Sequence, residues 1–163
     1  MPTPDFVLAL RAKVGHTPLW LPGVCAVVLR PLDEPKEVLL VRRSDDGTWT
    51  PVKGIMDPGE EVGQSAIREC LEETGVRIAV DRLVNVGVIG PVRYNNGDVT
   101  TYLEHTVRAA WVCGEPLVGD DESSEVGWFP LADLPAPIPD ADRAQIEVAV
   151  ANPADVVLEG LPR

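Results

Sequence analysis

Cysteine is scarce, basic residues are outnumbered, and no long apolar run occurs in this chain of 163 residues. Cys25, Cys70 and Cys113 are odd in number and lack metal-ligand spacing, which argues against a disulfide framework or a thiolate metal site. Each lies beside apolar residues, so three buried free thiols are expected. Only 14 lysines and arginines stand against 26 acidic residues, a net charge of −12. That balance argues against non-specific binding to nucleic acid or to an anionic membrane. No segment holds 18 uninterrupted apolar residues, so no membrane-spanning helix is expected. The start, Met1-Pro-Thr-Pro-Asp5, lacks the basic opening and apolar core of a signal peptide, and the cytoplasm is the expected location. Repeats and low-complexity segments are also missing. What remains is 45 % hydrophobic and long enough for one globular domain over residues 1–163.

Acidic residues are concentrated instead. Gly54-Ile-Met-Asp-Pro-Gly-Glu60 is followed, seven residues later, by Arg68-Glu-Cys-Leu-Glu-Glu-Thr-Gly-Val76. Read as a helix, the second run puts Glu69, Glu72 and Glu73 on one face at i, i+3 and i+4. Ile67, Cys70, Leu71 and Thr74 fall on the opposite face, where they are expected to meet a core. Taken alone, three glutamates in one turn describe a solvated helix surface as readily as a site. Like charges at these spacings repel, however, and a divalent cation would neutralise them. Oxygen ligands select hard ions, Mg²⁺ or Mn²⁺ before Zn²⁺. Gly54 and Pro58-Gly59 predict a tight loop before the helix, and Gly75 predicts a left-handed cap after it.

The stretch from Gly54 to Val76 resembles the signature box of the Nudix hydrolases at every fixed position, with Cys70 and Val76 in its apolar slots. The resemblance implies an α/β/α sandwich with a mixed sheet, in which the box forms a loop–helix–loop at the substrate groove. It implies a Mg²⁺-dependent (or Mn²⁺-dependent) pyrophosphatase acting on a small nucleotide-derived molecule. It assigns Glu69, Glu72 and Glu73 as metal ligands, with the Lys53 carbonyl as a further one and Glu69 as a candidate base. Arg68 and Glu60 would form an orienting pair behind those ligands. Family members often draw one more acid from a distant loop; Glu122 is favoured over Glu125, with Asp120 and Asp121 open. The expected catalytic set is therefore Glu69, Arg68 and Glu122. Many relatives carry Pro-Gly-Gly at the entry to the box, whereas this chain has Val52-Lys53-Gly54. Lys53 then either touches a phosphate or caps the loop.

Around the box, Phe6 to Val14 predicts a short helix or arm within residues 1–20, broken by Pro18-Leu-Trp-Leu-Pro22. Gly23–Leu29 and Glu37–Val41 read as strands, and Asn95-Asn-Gly-Asp98 as the turn of a hairpin. A charged loop over residues 119–125 precedes a strand at Val126–Phe129, Pro130–Pro139 reads as a surface linker, and 140–151 as the last helix. Arg42, Arg43, Lys53 and Arg93 are candidate cations for a phosphate, against a strand end in solvent for Arg42-Arg43; Trp20, Trp49 and Tyr94 are candidates for stacking, against a packing role for each. The substrate expected is a nucleoside diphosphate linked to another moiety, ADP-ribose-like, or a nucleoside triphosphate. The alternative is a catalytically inactive nucleotide-binding or regulatory module on the same fold. Apolar residues of the arm, which have no assigned place, allow a homodimer.

Overall fold

The computed structural model of the protein describes residues 3–119 and 121–160. The chain runs α1 (Asp5–Val14), β1 (Leu19–Arg30), β2 (Glu37–Arg43), β3 (Trp49–Thr50), β4 (Val52–Ile55), α2 (Val62–Thr74), β5 (Arg77–Arg93), β6 (Val99–Cys113), β7 (Ser123–Pro130), α3 (Asp140–Ala151) and β8 (Val157–Leu158). The strands form one mixed sheet in the order β3-β2-β1-β6-β5-β8, with β4 joining β1 and β7 joining β2. β1 is its centre. It pairs in parallel with β6 from Leu19↔Thr100 to Leu29↔Ala110, and its other edge is shared between β4 near the start and β2 at the end.

Period-two alternation sorts β1 between two cores. Val24, Ala26 and Val28 pack with Ala66 and Cys70 of α2, whereas Cys25, Val27 and Leu29 pack with Ile146 and Ala149 of α3. The sheet therefore lies between α2 and α3, an α/β/α sandwich. A buried arginine on β6 ties the α3 layer down. Arg108 donates from Nε to the Ala149 carbonyl at 3.0 Å, from Nη1 to Asp81 at 2.7 Å, and from Nη2 to the Leu32 carbonyl. Among the described residues, no helix is long and apolar enough to cross a membrane.

Three expectations need correction. The first strand starts at Leu19 rather than Gly23, carrying Pro22 inside it. Met56 donates to the Pro22 carbonyl, so the missing N–H of Pro22 points toward the same side, one residue before the β4 ladder begins at Gly23. Cys113 is exposed, because β6 runs out to the last rung of its pairing with β5, whereas Cys25 and Cys70 are buried as expected. The third correction concerns α2. Its buried residues are Ser65, Ala66, Glu69, Cys70, Glu73 and Thr74, and Ile67 and Leu71 face outward. Two of the three glutamates thus point inward, the reverse of an acidic solvent face.

Candidate active site

The box loop folds around backbone requirements that its glycines meet. α2 begins with a capping box in which Glu61 accepts from the third helical residue and Gln64 accepts from the Glu61 N–H at 2.9 Å. It ends at Gly75, whose φ of 68° is left-handed. The last-turn carbonyls of Glu73 and Thr74 accept from the Gly119 and Leu117 N–H groups at 2.9 and 3.0 Å. The returning loop thus satisfies acceptors that a helix end leaves open.

Gly54 decides where Glu69 goes. A Cβ at residue 54 would stand 1.9 Å from Glu69 Cδ and 2.0 Å from Oε1. Only a glycine in β4 lets the carboxylate of α2 lie directly on the strand. Glu69 is 1 % exposed there, and its Oε2 has no hydrogen-bond partner among the described residues. Burial pushes its carboxyl up to about 7, against the pull of the Arg68 guanidinium beside it. Arg68 grips Glu60 in a fork, Nε to Oε1 at 2.6 Å and Nη2 to Oε2 at 2.7 Å. It also reaches Glu69 at 3.0 Å and Glu72 at 3.3 Å. One guanidinium therefore joins Glu60 of the loop to Glu69 and Glu72 of α2.

Arg68 holds the Glu60 carboxyl at about 2, well below the ordinary glutamate value. A lowered folded-state value stabilises above the unfolded pKa and is lost as acid approaches the folded one. Glu60→Gln is accordingly expected to remove the part of the stability loss that falls between about pH 4.5 and 2, measured by urea unfolding across that range. A slope identical to the wild type's would mean that the fork does not persist in solution.

Glu69 and Glu73 open onto a cavity of about 430 Å³ that also takes in Arg43, Lys53, Arg93, Tyr94 and Glu122. Of the cations expected to serve a phosphate, Arg42 is placed elsewhere: it pairs with Glu125 at 2.5 Å and is absent from the lining. Arg43 is paired with Asp45 at the cavity mouth. Glu122 reaches the cavity from the segment before β7, Asp121 is exposed, and Asp120 lies outside the described residues. Glu72 is half-exposed and is not among the lining residues. Trp49 packs edge-on against Phe129 in the core, and Trp20 is exposed and also absent from the lining. Tyr94 does line the cavity, with its hydroxyl 2.6 Å from that of Tyr102.

The floor holds a group that local pattern did not reveal. Lys53 Nζ lies 3.0 Å from Glu104 and 2.5 Å from Asp142, and Gln145 donates to the same Glu104. Burial works against the Lys53 ammonium, yet the surrounding Cys25, Glu104 and Asp142 hold it protonated above the usual lysine range. Burial likewise raises Asp142, with Lys53 opposing. A signal was available: Thr100, Tyr102, Glu104, Thr106 and Arg108 put polar groups at every second place along β6. That alternation normally marks a solvated face, and here Gln145 and Ala149 of α3 meet Glu104, Thr106 and Arg108 on it.

The site's donors suit a hard divalent cation. They are oxygens, one buried carboxylate oxygen has no partner among the described residues, and the Gly54 cradle leaves room only for that carboxylate. Among the described residues, no three acidic, histidine or cysteine side chains already stand close enough together to hold an ion.

A mixed sheet between two helix layers, with a glutamate-bearing loop–helix edging a cavity, defines an α/β/α protein of Nudix type. The chain belongs to the NUDIX family: the model of the NUDIX domain matches residues 21–149. It is 30% identical to the MutT NUDIX hydrolase of Burkholderia pseudomallei, whose structure superposes with a TM-score of 0.58 over 81% of this chain and 98% of that one. The NUDIX domain of Shewanella oneidensis NrtR, solved in complex with ADP ribose, is 25% identical with a TM-score of 0.60 over 92% and 99% of the two chains. The human 8-oxo-dGDP phosphatase NUDT18 is 32% identical over 71% of this chain, which spans 35% of that protein's length.

Proposed function

We propose that this protein is a divalent-metal-dependent hydrolase that cleaves a pyrophosphate bond in a nucleotide derivative, a nucleoside diphosphate linked to another moiety or a nucleoside triphosphate. The observation that carries this reading is the buried Glu69 carboxylate, laid over Gly54, with one oxygen unpartnered among the described residues and the cavity in front of it. A core-forming helix gains nothing from such a group, because an unsatisfied buried carboxylate costs stability. Relatives named for nucleotide phosphatase activity, and one solved with ADP ribose, support a nucleotide as substrate.

Glu69, Glu72 and Glu73, with the Lys53 carbonyl, would hold Mg²⁺ or Mn²⁺. When bound, the ion would offset phosphate charge and make a bound water more acidic. The chain's own contribution is positional. Arg68 and Glu60 fix the loop against α2, so the Glu69 carboxylate is held in one orientation before substrate arrives. Glu69 or Glu122, one buried and one exposed among the cavity's lining residues, would take a proton from the attacking water. Arg43 and Arg93 flank the cavity as cations for the phosphates, a necessary offset in a chain of net charge −12.

The test is a panel of nucleoside diphosphate derivatives and triphosphates, with and without Mg²⁺ or Mn²⁺, with the products identified. Turnover that EDTA abolishes and added Mg²⁺ restores is the expected result. Nucleotide binding without turnover of any compound would overturn the hydrolase reading in favour of a binding module. In the same assay, Glu73→Gln is expected to lower kcat by about 10²-fold or more. Its thermal unfolding should stay near wild type; an unchanged kcat would remove Glu73 from the site.

A further inference from the structure

Helix α1 lies outside residues 21–149 matched by the NUDIX domain, yet Thr3, Pro4, Val7 and Arg11 line the same cavity as Glu69 and Glu73. A helix of ten residues is too short to persist in water by itself. Its packing is slight, since Val7 is its one buried residue. Its attachment is polar and concentrated in one side chain. Arg11 donates from Nη1 to the carbonyls of Thr17 at 2.7 Å and Gly15 at 3.1 Å. From Nη2 it donates to the Val99 carbonyl at 3.0 Å and to Thr100 Oγ1 at 3.2 Å, and Asp98 lies 3.3 Å from Nε. The guanidinium thus pins α1 to the start of β6, where the cavity wall begins.

Val7 and Arg11 are four residues apart and share a helix face, and that face is the one on the cavity. The other apolar and aromatic lining includes Leu21, Ile55, Ile89, Val92, Tyr94 and Tyr102. Walls of this kind suit an uncharged ring rather than phosphate oxygens. We infer that α1 is part of the binding site, with Val7 packing against the ring-bearing, non-phosphate part of the substrate and Arg11 as the positioning residue that keeps the helix there. The inference rests on the nucleotide reading of the cavity. It makes a segment outside the family match a determinant of which nucleotide derivative is taken.

The experiment is calorimetric titration of the full chain in Mg²⁺ with AMP, GMP, CMP, UMP and inorganic phosphate, none of which holds a pyrophosphate bond. At least one nucleotide is expected to bind more tightly than phosphate. Val7→Ala should weaken that nucleotide about fivefold, in keeping with the loss of a small apolar contact, and leave phosphate affinity as it was. Val7→Thr, nearly the same shape, should act in the same direction and covers the case in which the alanine variant fails to fold. Arg11→Gln should weaken the nucleotide too and speed hydrogen exchange of the α1 amides in its presence. Nucleotides binding no better than phosphate would overturn the inference, as would Val7 variants that shift both probes equally or neither. Turnover of a nucleoside diphosphate derivative by the same wild-type sample would, in that event, leave the hydrolase reading standing.

Discussion

Gly54→Ala is expected to lower kcat by about 10²-fold while the protein stays folded, because the added methyl takes the place of the Glu69 carboxylate. The clash is with the end of a flexible side chain, Cδ at 1.9 Å and Oε1 at 2.0 Å, and not with backbone. The carboxylate can therefore swing away at a cost of about 1–3 kcal/mol, the usual range for an overpacked site. It cannot remain where Arg68 reaches it. Steady-state kinetics, thermal unfolding and a Mn²⁺ titration together check this. A variant with wild-type kcat and metal affinity would mean that Glu69 does not act from the surface of β4.

Glu69→Gln should be more severe for turnover, about 10³-fold or more in kcat, since it removes the buried charge outright. It should also make the metal-free protein more stable near neutral pH. The sign follows from burial: the folded-state value of Glu69 is raised from an ordinary glutamate value near 4.5 to about 7. Between those two values the folded state binds more protons than the unfolded one, so stability falls as pH rises through the window. Above about pH 7 the full penalty is present, on the order of 3 kcal/mol. Glutamine has no such charge to bury. Urea unfolding in EDTA from pH 4.5 to 8 should show a falling stability for the wild type and a smaller fall for the variant. Parallel curves would mean that Glu69 is solvated in solution. An enzyme that loses rate but gains stability by the same substitution is behaving as expected when a charge is buried for function.

The elements of the box were legible residue by residue. Gly75 capped the helix as its position required, because only glycine enters the left-handed region without strain. The turn at Asn95–Asp98 joined β5 and β6, and the last helix spans Asp140–Ala151 as read. The contact between Arg68 and Glu60 was foreseeable from the motif and is present. The facing of α2 was legible only in part, since Cys70 and Thr74 are buried as expected whereas Ile67 and Leu71 are not. Hydrophobicity placed Ile67 and Leu71 inward and the glutamates outward, a sound rule for a helix on a plain core. It failed here because a glycine in another element made room for a carboxylate. Trp49 offered a stacking surface on paper but became core, since Phe129 of β7 covers it.

From the order of residues alone came the loop–helix–cap, the acidic cluster, the mixed α/β class and the family, all properties set by neighbours within a few turns of chain. Which glutamates are buried, which cations reach the cavity, and the joining of Lys53 to Glu104 and Asp142 depended on the tertiary structure. Those contacts bridge strands and helices dozens of residues apart. Side-chain identity does not state what will cover it, and burial, which sets both charge state and reach, exists only once the layers have closed.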